Sequence, residues 1–304
     1  MSMTVQSTDL FLPTQIADGI VEKAKTGSTI AALSAQEPMR FGKVEIITFD
    51  DDLTAEFVEE SGAKGSDDAK PEHVTAVPHK AVVQMRTSDE FKIADEDYQL
   101  KILAEYETKC ARALARALDL GLYYRINPRT GNALTTWSNY LNATTKRVEI
   151  TATSQPDLDF EAAAGLVIGD GYSVNGVAFD PKYAWKLSTS RYADGRKKYP
   201  ELGLGEGLSS FEGVPAAVSS TVSGKAKDGD ATDNKVRSIL GNFRSGIRWG
   251  VQRDFPFKIL EYGDPDNTGR DLAGHNEILL RTEIVYGWYV FASEFAVIED
   301  AVTP

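Results

Sequence analysis

The sequence is short of the side chains on which most enzymes and secreted proteins depend. Its 304 residues include one cysteine and three histidines, which excludes an intramolecular disulfide and leaves few side chains for nucleophilic or metal chemistry. The motifs Gly-x-Ser-x-Gly, His-Glu-x-x-His and Cys-x-x-Cys and the Walker loop are all absent. Paired carboxylates such as Asp50 and Asp52 are typical of a solvated acidic face. The sequence therefore argues against an enzyme and predicts neither a cofactor nor a metal site.

Long hydrophobic runs and clustered positive charge are also missing. No stretch approaches about 18 consecutive apolar residues, and the N-terminus lacks a basic region followed by an apolar one, so neither a membrane span nor a secretory signal is predicted. The net charge is −12, from 45 acidic and 33 basic residues, whereas specific nucleic-acid binding needs clustered Lys and Arg. The lone cysteine fits a reducing compartment, which predicts the cytoplasm.

Apolar residues are nevertheless plentiful enough for a core, and the most prominent apolar pattern lies between Thr87 and Leu122. Hydrophobic residues make up 42% of the chain. Thr87 and Glu90 fit a capping box, and Gly121 is a natural helix stop. One helical face then carries Leu103, Tyr106, Cys110, Ala113, Leu114, Ala117 and Leu118. We predict a helix of roughly 45 Å, which is either the core of an enzyme or a spine that carries separate lobes, with Cys110 as a buried thiol.

Two extended segments precede this helix and predict a ribbon. Residues 43–49 are rich in β-branched and aromatic side chains, and residues 74–87 form a second such segment, in which Pro78 favours an edge strand. A two-stranded ribbon is marginal alone in water, so it is predicted to need a partner surface. The alternative is an ordinary surface hairpin of a larger sheet. His73 and His79 are predicted to be solvent-exposed rather than metal ligands.

The rest of the chain predicts a mixed α+β protein. Strands are expected at 146–151, 174–179, 211–222 and 236–243, and helices at 159–168 and from about residue 182. Residues 191–210 are expected to form a loop, because the alternating glycines at 203, 205 and 207 do not match a phosphate-binding fingerprint. Residues 247–262 and 277–292 predict a long hairpin, whose tip is too long for a common turn. The aspartates of that tip favour turn chemistry over a calcium site.

In its order of parts, the chain resembles the major capsid proteins of tailed bacteriophages with the Hong Kong 97 fold. The segment PTQIADGIVEKAKTGSTIAAL is similar to the N-terminal arm helix of that family, and EFVEESGAKGSDDAKP is similar to its extended E-loop. Thr87–Leu122 corresponds to the spine helix, followed by INPRTGNAL as the Asn-Pro-x-x-Gly segment. The segments VAFDPKYAWKL, FEGVPAAVSSTV and LGNFRSGIRWGVQRDFPFKI resemble the axial domain and the return from it, and LRTEIVYGWYVFASEFAVI resembles the closing strand.

The resemblance implies an α+β capsid fold with an arm, an E-loop ribbon, a spine helix, and peripheral and axial domains. The expected divisions are 1–42 (arm), 43–86 (ribbon), 87–150 (peripheral domain with spine helix), 151–245 (axial domain), 246–284 (long hairpin of the peripheral domain) and 285–304 (return strand to the axial domain). The implied function is self-assembly, as pentamers and hexamers, into an icosahedral shell around phage double-stranded DNA. The shell would be assembled in the host cytoplasm. The alternatives are an encapsulin-type nanocompartment shell or, from another class, a soluble α+β hydrolase or ligand-binding protein.

The same resemblance implies partners and contact residues. The partners are other copies of the chain, a separate scaffolding protein (because the chain starts almost at the arm), a portal protein and a decoration protein; DNA is bound only non-specifically and no membrane is involved. The expected subunit-interface residues are Phe57, Val58, Glu59, Glu60, Lys64, Lys70, Leu202, Leu204, Asp266, Asn267 and Arg270. Some relatives form covalent Lys–Asn links, but we expect none between the ribbon lysines and Asn267.

Overall fold

Two β-sheets and one long helix that contacts both of them organise the chain. The computed structural model describes residues 27–49, 55–58, 64–65, 71–92, 96–151, 153–204, 207–227 and 229–301. Its α-helices are α1 (Thr29–Leu33), α2 (Glu96–Tyr124), α3 (Pro156–Gly169) and α4 (Pro181–Thr189). Its strands are β1 (Val44–Phe49), β2 (Pro71–Ser88), β3 (Arg147–Ile150), β4 (Gly176–Phe179), β5 (Ser210–Phe211), β6 (Val214–Val218), β7 (Val236–Gly241), β8 (Ile247–Leu260), β9 (Glu277–Val290) and β10 (Phe295–Asp300).

The first sheet has the order β1-β2-β9-β8, and β2 exchanges partners along its length. Residues 71–76 of β2 pair with β1, from Phe49↔Pro71 to Val44↔Ala76. From Val77 to Ser88 the strand pairs with β9 instead. The β1–β2 pair is therefore a two-stranded ribbon that continues past the end of β9. Pro78 lies two residues beyond Ala76, the last residue paired with β1, and pairs with β9 alone among the described strands, which confirms that this proline lies at an edge.

The long helix α2 starts later than the capping signal predicts. Thr87 and Ser88 pair with β9, and Asp89–Lys92 form a 3-10 turn, so the predicted start at Thr87 is wrong. Strand pairing outweighs the local capping preference, because each residue added to the ladder gains backbone hydrogen bonds and side-chain contacts on the sheet.

The predicted helix stop at Gly121 is also wrong, since α2 continues to Tyr124. A Cβ atom at Gly121 would lie 2.9 Å from Cη2 of Trp288 and 3.4 Å from Cζ3 of Trp137. The glycine therefore allows the helix to pack closely against two indole rings, and it does not end the helix.

The apolar face of α2 packs on the first sheet, as predicted. Leu103, Tyr106, Cys110, Leu114 and Leu118 are buried in the larger core, whereas Ala113 and Ala117 are only partly buried. Burial raises the pKa of the Cys110 thiol to about 11, which is the environment of a structural and unreactive cysteine.

The second sheet has the order β3-β10-β7-β4-β6-β5 and carries α3 and α4 over a separate core. Asp180 caps α4 by accepting a hydrogen bond from the Lys182 N–H at 3.0 Å. The single strand predicted over residues 211–222 is in fact β5 and β6, joined by a turn in which Glu212 and Gly213 have φ of 49° and 76°. Helix α3 begins at Pro156 instead of residue 159.

Two of the expected domain boundaries do not match the strands of the structure. Strand β3 belongs to the second sheet, although it falls in the segment 87–150 assigned to the peripheral part. Strand β9 runs without interruption across residue 285, so the return to the second sheet begins only with β10 at Phe295.

Candidate assembly interface

The tip of the late hairpin, residues 261–276, is bound to the end of β2 by the guanidinium of Arg86. Arg86 donates hydrogen bonds from Nε to Asp266 at 2.8 Å, from Nη2 to Asp264 at 2.8 Å and from Nη1 to Glu277 at 2.9 Å. It also donates to the backbone oxygen of Arg270 at 2.9 Å. The delocalised charge suits this arrangement, because guanidinium presents several donors in one plane. These contacts hold the pKa of Asp266 well below its usual range.

The three interface residues predicted in that tip differ in their exposure and in their contacts within the subunit. The carboxylate of Asp266 is used within the subunit, since it is bound to Arg86 and its side chain is only 13% exposed. Arg270 is more exposed and pairs with Glu277 at 2.6 Å. Asn267 is exposed and has φ of 54°, a turn conformation that asparagine tolerates. Arg270 and Asn267 are thus available to a neighbouring molecule, and Asp266 is not.

The described part of the ribbon tip is exposed instead of fastened. Ala55–Val58 has no regular secondary structure; the Phe57 side chain is fully exposed and Val58 is 40% exposed. A hydrogen bond from the Gly65 N–H to the Glu56 carboxylate connects the two described pieces. Lys64 is exposed. The predicted interface residues Glu59, Glu60 and Lys70 lie outside the described residues.

The two leucines predicted to face a symmetry axis lie in different environments. Leu202 ends a short 3-10 turn and packs, partly buried, against the core of the second sheet. Leu204 is 72% exposed. Only Leu204 therefore presents an apolar side chain to the outside.

The described part of the N-terminal arm is bound to its own subunit through a buried carboxylate that the sequence analysis missed. Asp119 of α2 accepts hydrogen bonds from the hydroxyls of Ser28, Thr29 and Thr221, the last two at 2.8 and 2.7 Å. Burial raises the pKa of Asp119, and the hydrogen bonds oppose that rise. Ser28 caps α1, and Thr221 lies in the connection between β6 and β7 of the second sheet. Asp119 therefore joins the arm and the long helix to the part of the chain that forms the second sheet.

The path of the arm after α1 follows strand β8. The Glu37 N–H donates to the Trp249 oxygen at 2.8 Å, and the Gly42 N–H donates to the Gln252 side chain at 3.1 Å. The close approach requires a glycine on the strand, because a Cβ atom at Gly250 would lie 2.2 Å from the Glu37 oxygen. Residues 28–42 therefore make these contacts within their own subunit. The predicted arm helix of residues 13–26 lies outside the described residues.

A second missed feature is the environment of His79, at the base of the ribbon. Its ring packs against the rings of both Trp137 and Trp288, with centroid distances of 3.9 and 4.1 Å. Burial lowers its pKa from the ordinary 6.5 to about 4. The prediction of a solvent-exposed histidine is wrong here, because tryptophans distant in sequence cover the ring.

Clustered metal ligands and membrane-spanning helices are both absent from the part of the chain that the structure describes. No three His, Cys, Asp or Glu side chains lie together as possible metal ligands there. In the same residues, no helix combines the length and apolar character that crossing a bilayer demands.

Comparison with known proteins decides the family. A model of the phage capsid family matches residues 9–287. The chain belongs to the phage capsid family. A solved structure from Mycobacterium phage Ogopogo is 40% identical, with 90% of this chain and 92% of that one covered and a TM-score of 0.79. Another, from Gordonia phage Cozz, is 28% identical over 91% of this chain and 87% of its own, with a TM-score of 0.76.

More distant structures share the fold of this capsid protein. The capsid of a native GTA particle is 16% identical over 91% of both chains, with a TM-score of 0.59. No curated protein matches the chain in sequence. The predicted Hong Kong 97-like α+β fold is confirmed, and the capsid protein is a structural, shell-forming component of the virion. The family match agrees with the first of the predicted functions, a phage capsid protein.

Proposed function

We propose that this capsid protein builds its shell from rings of five and six copies, in which the ribbon of each copy makes its apolar contacts on a neighbour. The observation that carries the proposal is Phe57, which is fully exposed at the end of a ribbon that its own subunit does not cover. A closed shell repeats the same contact many times, so burial worth roughly 25 cal/mol per Å² adds up over the particle.

The proposal includes partners that the family resemblance implies. Scaffolding, portal and decoration proteins would bind the shell, which would assemble in the host cytoplasm. The net charge of −12 suits a wall that does not grip packaged DNA tightly. We assign six exposed residues that the structure describes to contacts between copies. The polar ones are Lys64, Asn267 and Arg270, and the apolar ones are Phe57, Val58 and Leu204. Glu59, Glu60 and Lys70 are assigned to the same contacts from the sequence alone.

The test compares the purified protein with a variant that lacks residues 53–68 and therefore lacks Phe57 and Val58. We expect the unaltered protein to sediment as rings or shells and to show them in negative-stain micrographs. The shortened variant retains β1 and β2 and should melt at the same temperature, yet its particle yield should fall at least tenfold. A compact monomer under all assembly conditions contradicts the proposed function, whereas full assembly of the shortened variant contradicts the role of the ribbon.

A further inference from the structure

Positive charge is concentrated in one short stretch of this acidic chain, at residues 181–198. The stretch holds six basic residues and one acidic residue, whereas the whole chain has a net charge of −12. It comprises α4 and the loop that follows, which is closed by a β-bridge between Arg191 and Lys197. The Ser190 hydroxyl donates to the Lys186 oxygen at 2.9 Å, so the loop begins on the last turn of the helix. The positive charge is therefore gathered on one folded unit beside the second sheet.

Exposed aromatic side chains lie among the exposed cations of this unit. Trp185 and Tyr192 are 56% and 55% exposed. Lys182, Trp185 and Lys186 line one shallow depression on the exposed face of α4. Lys198, by contrast, is used within the subunit, where its Nζ binds an aspartate of α3 at 2.7 Å. We define the basic patch as the exposed basic and aromatic residues of the unit, which are Lys182, Trp185, Lys186, Arg191, Tyr192 and Arg196.

The first and last cations of the basic patch are paired within the subunit, whereas the two between them are not. Salt bridges of 2.8 and 2.6 Å join the outer two to aspartates at positions 233 and 194. Lys186 and Arg191 form no salt bridge within the part of the chain that the structure describes. Arg191 donates to the Gly195 oxygen at 2.8 Å, which orients the guanidinium without neutralising it. Burial raises the pKa of Asp159, and the charge of Lys186 opposes that rise from beyond salt-bridge distance.

We propose that the basic patch binds the phosphate backbone of the duplex DNA that the shell encloses. The inference rests on the proposed function, which supplies the DNA, and deepens it by naming the surface of contact. Lysine, arginine and tryptophan side chains carry hydrogen-bond donors and no acceptor. Phosphate oxygens are acceptors, and tyrosine hydroxyls also donate to them. The polar groups of the patch thus complement a phosphodiester chain.

The composition of the basic patch favours DNA over a second copy of the chain. Charged residues are depleted at the centre of protein–protein interfaces. Protein–DNA interfaces are much more positively charged. In the basic patch, the unpaired cations Lys186 and Arg191 lie in the middle of the sequence that forms it, beside the exposed Trp185. An acidic protein surface is the other occupant that charge alone would allow, and the second test below distinguishes it.

The contact is expected to be weak, independent of base sequence and sensitive to salt. Phosphate contacts carry no sequence information. Two to four such contacts predict that affinity falls roughly 10- to 150-fold between about 50 and about 200 mM salt. The acidic remainder of the chain repels DNA and limits the contact to the patch. Such a contact allows the shell to touch its contents without holding them tightly.

The first test measures binding of a short fluorescent DNA duplex to unassembled subunits by anisotropy, at about 50 and about 200 mM salt. We expect Lys186→Glu/Arg191→Glu to reduce affinity at least tenfold. Lys101→Glu/Lys109→Glu makes the same change in net charge on exposed positions of α2 and should keep the affinity within about twofold. The charge-conserving variant Lys186→Arg/Arg191→Lys should bind as the unaltered protein does. Melting confirms that each variant is folded.

Two outcomes of this measurement overturn the proposal. One is an equal loss of affinity in both charge-reversed variants, which would assign the binding to net charge alone. The other is the absence of binding by the unaltered subunit at low salt. Particle formation by the same preparation is scored separately in negative-stain micrographs. Particles without DNA binding overturn the basic patch only, whereas the absence of particles under all assembly conditions overturns the proposed function.

The second test uses tryptophan fluorescence to locate the bound DNA. Trp185 is the most exposed of the four tryptophans, because Trp249 and Trp288 are 1% and 3% exposed and Trp137 is partly buried. We expect DNA to protect the fluorescence against quenching by acrylamide, and Trp185→Phe to lose this protection. Protection that persists in Trp185→Phe overturns the location. Poly-glutamate that gives the same protection and displaces DNA at equal charge would identify an acidic protein as the partner and overturn the assignment to DNA.

Discussion

The early ribbon and the late hairpin both end in long connections between paired strands, yet they differ in how the subunit holds them. The tip of the late hairpin is bound by Arg86, which joins Asp264, Asp266 and Glu277 to the end of β2. In the described part of the ribbon tip, the glutamate-to-glycine contact between residues 56 and 65 is local, and Phe57 is fully exposed. The subunit thus completes one tip by itself and leaves an apolar side chain of the other uncovered.

This difference indicates that the late tip contributes to the stability of the subunit and that the ribbon tip contributes to assembly. A charged group with several hydrogen-bonded partners orders a loop without help from outside. An exposed phenylalanine on a two-stranded ribbon gains stability only when another surface buries it. We therefore expect changes in the late tip to affect the melting of the isolated subunit, and changes in the ribbon tip to affect assembly.

The largest effect on the isolated subunit is expected from Arg86→Ala. Removal of the guanidinium leaves Asp264, Asp266 and Glu277 close together without their shared cation, so like charges repel and their hydrogen bonds are lost. The Tm of the subunit should fall clearly, by at least twice the change produced by the control Arg270→Ala, which removes only the exposed pair with Glu277. Equal Tm values for both variants would show that the late tip is not held by Arg86.

The sequence was sufficient to predict the strands of the first sheet and the apolar face of α2, because both depend on local side-chain periodicity. It was insufficient where a distant partner decides the outcome. Thr87 has the chemistry of a helix cap but pairs with Ile278. Gly121 has the chemistry of a helix stop but accommodates Trp288. In both positions a contact across more than 150 residues overrides a local preference.

The candidate interface was predicted in the same uneven way. Phe57 and Leu204, apolar residues in polar loops, are exposed in the structure, and their part in contacts between copies stays a prediction. Arg86 and Asp119 were missed, although Asp119 is an acidic residue between the leucines at 118 and 120, which is the signal that could have found it. Their partners come from chain segments remote in sequence, so no spacing rule links them.

A smaller loss of subunit stability, confined to acid pH, is expected from protonation of His79 at the base of the ribbon. Its pKa in the folded protein is lowered to about 4 by burial against two tryptophans. The stabilising contribution of the neutral ring is therefore complete above about pH 6.5, and it is lost as the pH falls toward 4. After allowance for partial exposure of the ring, the free energy of unfolding should decrease by up to about 2 kcal/mol over this range.

The measurement that checks this is the pH dependence of chemical denaturation for two matched variants. His79→Asn should flatten the decrease between pH 6.5 and 4, whereas His275→Asn, on the exposed late tip, should follow the unaltered protein. A decrease that persists in His79→Asn would assign the acid sensitivity to other groups.

The central claim is that the ribbon of one copy is completed by a neighbouring copy, and a cryo-electron microscopy map of an assembled particle tests it most directly. The map should show Phe57 buried against an adjacent subunit. The late tip should remain bound to Arg86 of its own chain, as it is in the isolated subunit. Density that leaves Phe57 exposed to solvent, or packed within its own subunit, would contradict the account.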